Sequence, residues 1–302
     1  MSEPFIWQDE RAPRAGLPVL GQDERASRAG LPILGQDERA SRAGLPLSVV
    51  IITLNAARAI EACLKSVAWA DDIVVVDSGS SDDTADIARR HRARVVQQDW
   101  LGYGPQKRFA VAQAKNPWVL SLDADERLSD ELSESIRHEL AAPRHRAYEF
   151  PRRNRFMGRW LRHGEGYPDW SPRLFHRDHA NWSDDPIHEK VVTGGTIGRL
   201  HGDLLHESEQ GIADYLAKQN RYTSLQAEQL YARGKHAGAG KMLLSPLFRF
   251  IKFYFLRLGF LDGVPGLVHI AIGCFNSFSK YAKLIELGRK TVRAKLHSQI
   301  DE

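Results

Sequence analysis

An α/β fold built on a mostly parallel sheet is what this sequence predicts, preceded by a disordered repeat tail and followed by a helical, membrane-associating region. Three observations carry that expectation. Continuous β-branched runs alternate with segments of helical spacing between Leu47 and Asp123, the pattern of strands and crossover helices. Two of those runs close on a carboxylate, Asp77 and Asp123. The chain ahead of them repeats itself with too few apolar residues to build a core.

The repeat comes first. Gln8 to Gly21 reads QDERAPRAGLPVLG, Gln22 to Gly35 reads QDERASRAGLPILG, and a third copy starts at Gln36. Gly and Pro flank the few apolar residues of each unit, so residues 1–46 are expected to be disordered and to carry no catalytic role. Leu47–Thr53 is the first buried strand, and Ala57–Ala68 has helical spacing with Ile60, Leu64 and Val67 on one side. Asp72–Asp77 is the second strand. The polar turn Ser78–Thr84 leads into a helix through about Arg90, with Asp82 or Asp83 as its cap. Arg94–Gln97 is a short third strand, Phe109–Ala114 sits in a further helix, and Trp118–Asp123 is the fourth strand. This α/β domain is expected to span residues 47–240. In such sheets ligands bind beyond the carboxyl ends of the strands, where Asp77 and Asp123 stand.

Residues 241–302 form the third part. Leu243–Leu261 is apolar but contains Arg249, Lys252 and Arg257, and Leu258–Phe278 is broken by Asp262, Gly263, Pro265 and Gly266. Neither is a clean span of about 20 uncharged residues. Cations mixed with Phe248, Phe250, Phe253, Tyr254 and Phe255 suit helices lying in a headgroup layer, ahead of a buried helical subdomain or a transmembrane helix.

Composition narrows the class. The chain has 302 residues, a net charge of +4 and 42% hydrophobic residues, enough for a sizeable core and a mild bias toward anionic ligands or membrane surfaces. Its two cysteines, Cys63 and Cys274, give neither metal spacing nor a disulfide framework, so a reducing compartment is expected. The N-terminus lacks a basic-then-apolar signal segment, so secretion is not expected. The basic residues match no nucleic-acid module.

Chemistry concentrates in Leu120-Ser-Leu-Asp-Ala-Asp-Glu126. Two carboxylates at i and i+2 after a buried strand can share one pocket and suit a hard divalent cation, with phosphate oxygens completing its shell. Asp77 ends the second strand with no cation near it in sequence, which favours a ligand role.

Taken in order, Val49-Val-Ile-Ile-Thr-Leu-Asn55, Val76-Asp-Ser-Gly-Ser-Ser-Asp-Asp-Thr84 and Leu122-Asp-Ala-Asp-Glu126 resemble glycosyltransferase family 2, within it the branch acting on lipopolysaccharide core. The resemblance covers about 47–287. It implies the GT-A fold, a Rossmann-like sheet, and inverting transfer of a hexose from a nucleotide diphosphate sugar, UDP-glucose favoured, to a lipid-linked glycan. It implies that Thr53, Asn55, Asp77, Lys107 and Asp123 contact the nucleotide sugar. Asp125, with Asp123, would hold Mg²⁺ or Mn²⁺. The chain departs from the family's Gln-Lys-Asn at Arg108. Its site of action would be the cytoplasmic side of the inner membrane, peripherally.

Inverting transfer needs a carboxylate to take the acceptor's proton. His188-Glu189 stands where the family carries a Glu-Asp pair, so Glu189 is the expected base and Asp169 the runner-up. His188 would orient Glu189 or join the metal shell. Trp170, Trp182 and Tyr167 are candidates for sugar stacking or core. Arg152, Arg153, Arg155, Arg159 and Arg162 form either a solvated basic face or a site for an acidic acceptor. Two other readings compete. A nucleotidyltransferase would want a Gly-rich loop after the first strand, which Thr53-Leu-Asn-Ala-Ala-Arg58 lacks. A non-catalytic membrane adaptor would bind neither metal nor nucleotide.

Overall fold

The computed structural model describes residues 46–184, 189–208 and 211–300; the repeat tail up to residue 45 and His188 lie outside the described residues. The first strands fall where the apolar runs predicted them. β1 (Leu47–Thr53), α1 (Ile60–Ser66), β2 (Asp72–Asp77), α2 (Thr84–Arg90), β3 (Arg94–Gln97), α3 (Tyr103–Ala112) and β4 (Trp118–Asp123) alternate along the chain. The four strands run parallel in the order β3-β2-β1-β4. Every residue of β1 and β2 is buried, as expected of strands covered on both faces. Alternate residues feed two cores: Val49, Ile51 and Val75 pack with Ile60 and Leu64 of α1, whereas Val50, Ile52 and Val74 pack with Ala110 and Val111 of α3.

Beyond β4 the sheet changes character. It continues through β5 (Glu126–Leu128), α4 (Asp130–Ala141), β6 (Ala147–Phe156), β7 (Arg159–Trp160), β8 (Asp169–His176), β9 (Ala180–Trp182), β10 (Val191–Thr193), β11 (Ile197–Arg199) and β12 (Leu204–His206). β8 is antiparallel to β4 and to β6, because a short connection joins β6 to β8 without a crossover helix. β12 lies parallel to β6, and β5 antiparallel to β12. The hydrogen-bonded order is therefore β3-β2-β1-β4-β8-β6-β12-β5. Only Ala124 and Asp125 separate β4 from β5 in the chain, yet three strands stand between them in the sheet. The sheet must curl to bring its far edge back to the end of β4, and Ala124-Asp125 is the seam. On the back of the sheet, the Tyr148 hydroxyl donates to Glu139 at the end of α4 and accepts from the amides of Arg144 and His145.

Three helices complete the chain: α5 (Ile212–Ala232), α6 (Ala239–Phe250) and α7 (Gly263–Ile300). α6 runs on as a π-helical stretch, Ile251–Leu256, and a 3₁₀ turn, Gly259–Asp262, precedes α7. The β7–β8 loop is clasped to them. Asp262 accepts from the amides of Arg162 and His163 at 2.9 and 2.8 Å, Glu165 pairs with Arg249, and the Gly164 amide donates to Arg257 O. Gly164 has a positive φ of 67°, and a Cβ there would sit 3.1 Å from Gly259 Cα, so glycine permits this approach. Among the described residues no single helix is long and apolar enough to cross a membrane; only the pair Ala239–Leu256 and Gly259–Lys290, bent by 74°, reaches that length and composition together. Leu243, Leu244, Leu247, Phe248, Phe255, Leu256, Val264 and Phe275 are exposed on these helices.

Candidate active site

The D-A-D corner opens from the end of β4. Glu126, fully buried where β5 begins, accepts from the Asp123 amide at 3.0 Å and from Arg173 of β8 at 2.8 Å. Arg173 also reaches Asp123 at 3.1 Å. Lys107 of α3, itself buried, approaches Asp123 from the other side at 3.2 Å. Burial pushes the Asp123 carboxyl up, but Lys107 and Arg173 outweigh it and hold the group well below the usual carboxylate range. The same carboxylates hold the Arg173 guanidinium above its ordinary value despite its burial. The corner is thus charged and braced in advance.

Lys107 also holds Glu189, Nζ to Oε1 at 3.2 Å. The segment carrying Glu189 can come this close because the second residue of α3 is a glycine: a Cβ on Gly104 would meet Ser183 O at 2.4 Å and Glu189 Cβ at 3.7 Å. Trp182 lies beneath the cluster, its ring 4.4 Å from Lys107 Nζ and its indole N–H donating to Ser121. It is buried, so it supports the cluster from the core. Side-chain exposure separates the carboxylates by task. Glu126 is at 0%, whereas Glu189, Asp123 and Asp125 are at 20%, 29% and 35% and stay partly open to solvent.

Asp125 faces a residue that sequence reasoning missed. His206, closing β12, places Nε2 3.2 Å from Asp125 Oδ2 and Nδ1 2.7 Å from Asn154 Oδ1. The Asn154 amide nitrogen donates to Gly166 O, which sets its oxygen toward His206. His206 therefore donates from Nδ1 and turns the Nε2 lone pair toward a carboxylate. Two lone-pair donors facing each other want a cation or proton between them, and an oxygen-plus-imidazole pair fixed from behind suits a divalent metal. Among the described residues no three His, Cys, Asp or Glu side chains form a metal-holding group, so a metal here would need oxygens from its ligand.

The expected nucleotide-side residues gather at the ends of β1 and β2, where Thr53 and Asp77 are register partners. Thr53 Oγ1 is buried without a hydrogen-bond partner. Asp77 is also buried, and it accepts from the amide and hydroxyl of Ser80, so it shapes the turn after β2, a role sequence reasoning did not assign. Asn55, at a positive φ of 50°, accepts from the Ser81 amide at 2.8 Å and ties the β1–α1 loop to that turn. Asp82 accepts from the Thr84 amide just ahead of α2, while Asp83, at the N-cap position, makes no side-chain capping bond.

Asp169 sits apart from Lys107. Arg152 holds it through Nε and Nη2 at 2.9 and 2.7 Å, and also approaches Glu126. Four of the five arginines from Arg152 to Arg162 lie against carboxylates. Arg152 pairs with Asp169, Arg153 with Asp203, Arg155 with Glu207, and Arg159 lies 4.0 Å from Asp262. Carboxylates remote in sequence reach them, which composition cannot reveal. Tyr167 donates to Asp203, and burial together with that bond pushes its phenol up to about 12. Arg108, the departure from the family pattern, pairs with the exposed Asp184. Cys63 and Cys274 are both free. α5 carries Arg221 and Tyr222. Burial, and then Asp123 and Glu189, push the Tyr103 phenol up, against the charge of Arg221.

A profile described as Glycosyl transferase family 2 matches residues 48–199. An uncharacterised glycosyltransferase of Rickettsia typhi is 33% identical over 258 residues, 81% of this chain and 88% of its own. The lipopolysaccharide core biosynthesis glycosyltransferase LpsC of Rhizobium meliloti is 30% identical over 261 residues, 80% of this chain and 92% of its own. Among solved structures, S. aureus TarS 1-349 in complex with UDP-GlcNAc aligns with a TM-score of 0.43 at 16% identity, covering 81% of this chain and 92% of that one.

Proposed function

Because this chain belongs to glycosyltransferase family 2, we propose that it moves a hexose, with inversion, from a nucleotide diphosphate sugar to a lipid-linked glycan at a membrane surface. It is a glycosyltransferase of GT-A fold, and the nucleotidyltransferase and adaptor readings give way to that assignment. The observation that carries the finer reading is Lys107 standing 3.2 Å from both Asp123 and Glu189. One buried cation thereby sets the proton-accepting carboxylate beside the acidic corner.

The acceptor hydroxyl attacks the anomeric carbon as the nucleotide diphosphate departs. Glu189 accepts the hydroxyl proton on its carboxylate, held in place by Lys107. Asp169, tied up by Arg152, is the weaker candidate. Asp125 and His206 would hold Mg²⁺ or Mn²⁺. When bound, the metal offsets the charge growing on the leaving diphosphate. Asp123, braced by Lys107 and Arg173, is left to orient the donor, and Thr53 Oγ1 supplies an unpaired polar atom on the nucleotide side.

UDP-glucose is the favoured donor. The likeness to a lipopolysaccharide core enzyme favours an acceptor of that kind. The exposed apolar residues of α6 and α7, with Lys252 and Arg257 among them, suit peripheral binding to the cytoplasmic side of the inner membrane. Free thiols agree with a reducing compartment.

The test is a donor screen on the purified full chain. UDP-, GDP- and ADP-linked sugars are offered with detergent-solubilised lipopolysaccharide core, with Mn²⁺ or with a chelator. Consumption of UDP-glucose only with metal and acceptor supports the proposal. Failure to consume any nucleotide sugar, or equal turnover under chelation, would sink it.

A further inference from the structure

A polar cavity of ≈ 410 Å³ opens between α5, α6 and α7, outside the acidic corner described above. We propose that it is the acceptor subsite and that it takes an acidic sugar residue, one bearing a carboxylate or phosphate, of the lipid-linked glycan. The assignment rests on the transferase reading of the chain.

Size and lining come first. Small-molecule pockets run from about 300 to 1,000 Å³, so a sugar residue fits. Gln219, Gln226, Asn276 and Ser277 line the cavity with Tyr222. Carboxamides and hydroxyls offer donors and acceptors together, which neighbouring sugar hydroxyls require, and an aromatic ring suits the apolar face of a sugar. Behind them, His269 buries its Nδ1 without any hydrogen-bond partner.

Charge then selects the kind of sugar. Glu165 and Arg249, both in the lining, neutralise each other as an ion pair. Burial, then Arg249, push the His269 imidazole down to about 4, so it is neutral near pH 7. Lys280 is left, with no carboxylate partner among the described residues. One uncompensated cation in a hydroxyl-binding cavity favours an anionic substituent on the sugar.

Position links the cavity to both ends of the reaction. Tyr222 lines it, and burial, then Tyr103 and Glu189, push the Tyr222 phenol up. Glu165, also in its lining, precedes Gly166, whose carbonyl accepts from Asn154, the residue that holds His206 beside Asp125, so the cavity adjoins the acidic corner. α6 and α7, which form its other walls, also carry the exposed apolar residues. A lipid-anchored glycan entering beside those helices would pass through the cavity on its way to Glu189.

Saturation-transfer NMR on the full chain tests this, with methyl glucuronide as the acidic probe and methyl glucoside as its neutral counterpart. Calorimetry with UDP and Mn²⁺ runs alongside. The Gln226 side chain makes no hydrogen bond among the described residues, so Gln226→Trp fills the cavity without breaking one. The expected result is stronger transfer to the glucuronide than to the glucoside, loss of at least about tenfold in Gln226→Trp, and loss of the preference in Lys280→Gln. UDP affinity and melting temperature should hold in both variants. Glucuronide binding unchanged in Gln226→Trp, or no sugar binding by a wild-type chain that does bind UDP, overturns the cavity assignment and leaves the transferase reading intact. A chain that binds no UDP with Mn²⁺ overturns the transferase reading, and the cavity assignment falls with it.

Discussion

Lys107 Nζ stands 3.2 Å from Glu189 Oε1 across eighty-two residues of sequence. A helix that follows β3 thereby fixes a loop that follows β9. Glu189→Gln keeps the size of the side chain but cannot take a proton. Transfer should fall by about 10²–10⁴-fold, while UDP binding with Mn²⁺ persists. Asp169→Asn, run in parallel, should stay within a few-fold of wild type; the opposite pattern in transfer rates would move the base to Asp169.

Asp125 and His206 should act as a pair on metal affinity. Asp125→Asn and His206→Ala each remove one donor to a hard or borderline cation. Calorimetry should show that UDP loses the affinity it gains from Mn²⁺ in either variant, with metal-free UDP binding nearly unchanged. Full retention of the Mn²⁺ effect in His206→Ala would leave Asp125 as the sole protein ligand of the two.

Arg173 is the buried counter-charge to Glu126 and Asp123. Arg173→Met keeps the stem and deletes the charge, leaving Glu126 sealed with a weaker partner. Removing one member of a buried pair typically costs about 3–5 kcal/mol. Urea unfolding should report a loss of that order, and a loss near zero would mean that water reaches Glu126.

Acid stability has a specific contributor at the back of the sheet. Hydrogen bonds from Arg144, opposed by burial and helped by Tyr148, pull the Glu139 carboxyl from its ordinary 4.5 down to about 2. A lowered folded value means that the contribution is complete above pH 4.5 and disappears as pH falls toward 2. Glu139→Gln should therefore melt below wild type at neutral pH, and the two melting curves should converge near pH 2.

The exposed apolar helices make a prediction about surfaces. Leu247 and Phe248 are 52% and 66% exposed, so replacing both with Glu should cost little stability. Flotation with anionic liposomes at low salt should recover the wild-type chain and lose the double variant. Equal flotation of the two proteins would direct attention away from α6.

The parallel half of the sheet was legible from sequence alone. β1, β2, β3 and β4 fall at the predicted residues: in β1, β2 and β4 burial leaves nearly unbroken apolar runs, and β3 is a short, half-exposed edge strand. α1 is shorter than its helical spacing suggested, Ile60–Ser66 within Ala57–Ala68. The second half was not legible. β5, β7, β9, β10, β11 and β12 are two or three residues long, too short for any periodicity to register. For the same reason His206 went unread: only the pairing of β12 with β5 brings it opposite Glu126 and beside Asp125. Lys107, Asp123 and Glu189 were named from sequence, but the glycine that lets them meet, Gly104, and the arginine that braces them, Arg173, emerge only from packing. The pairing of Arg152, Arg153, Arg155 and Arg159 could not be read from sequence, because their carboxylates lie up to about a hundred residues away.

The curl of the sheet imposes a timetable on synthesis. β5 ends at Leu128 and its partner β12 begins at Leu204, so the chain must lengthen by 76 residues before the acidic corner can close. At about 5–20 residues per second, that is a wait of roughly 4–15 s on the ribosome. The parallel strands can settle meanwhile, since each finds its neighbour soon after it emerges. Within the interval Lys107 and then Arg173 become available to Asp123 and Glu126, but Asp125 still lacks His206. A nascent chain stalled before Leu204 would carry a formed sheet and no cation site, and one released after His206 would complete the site in a single closing step.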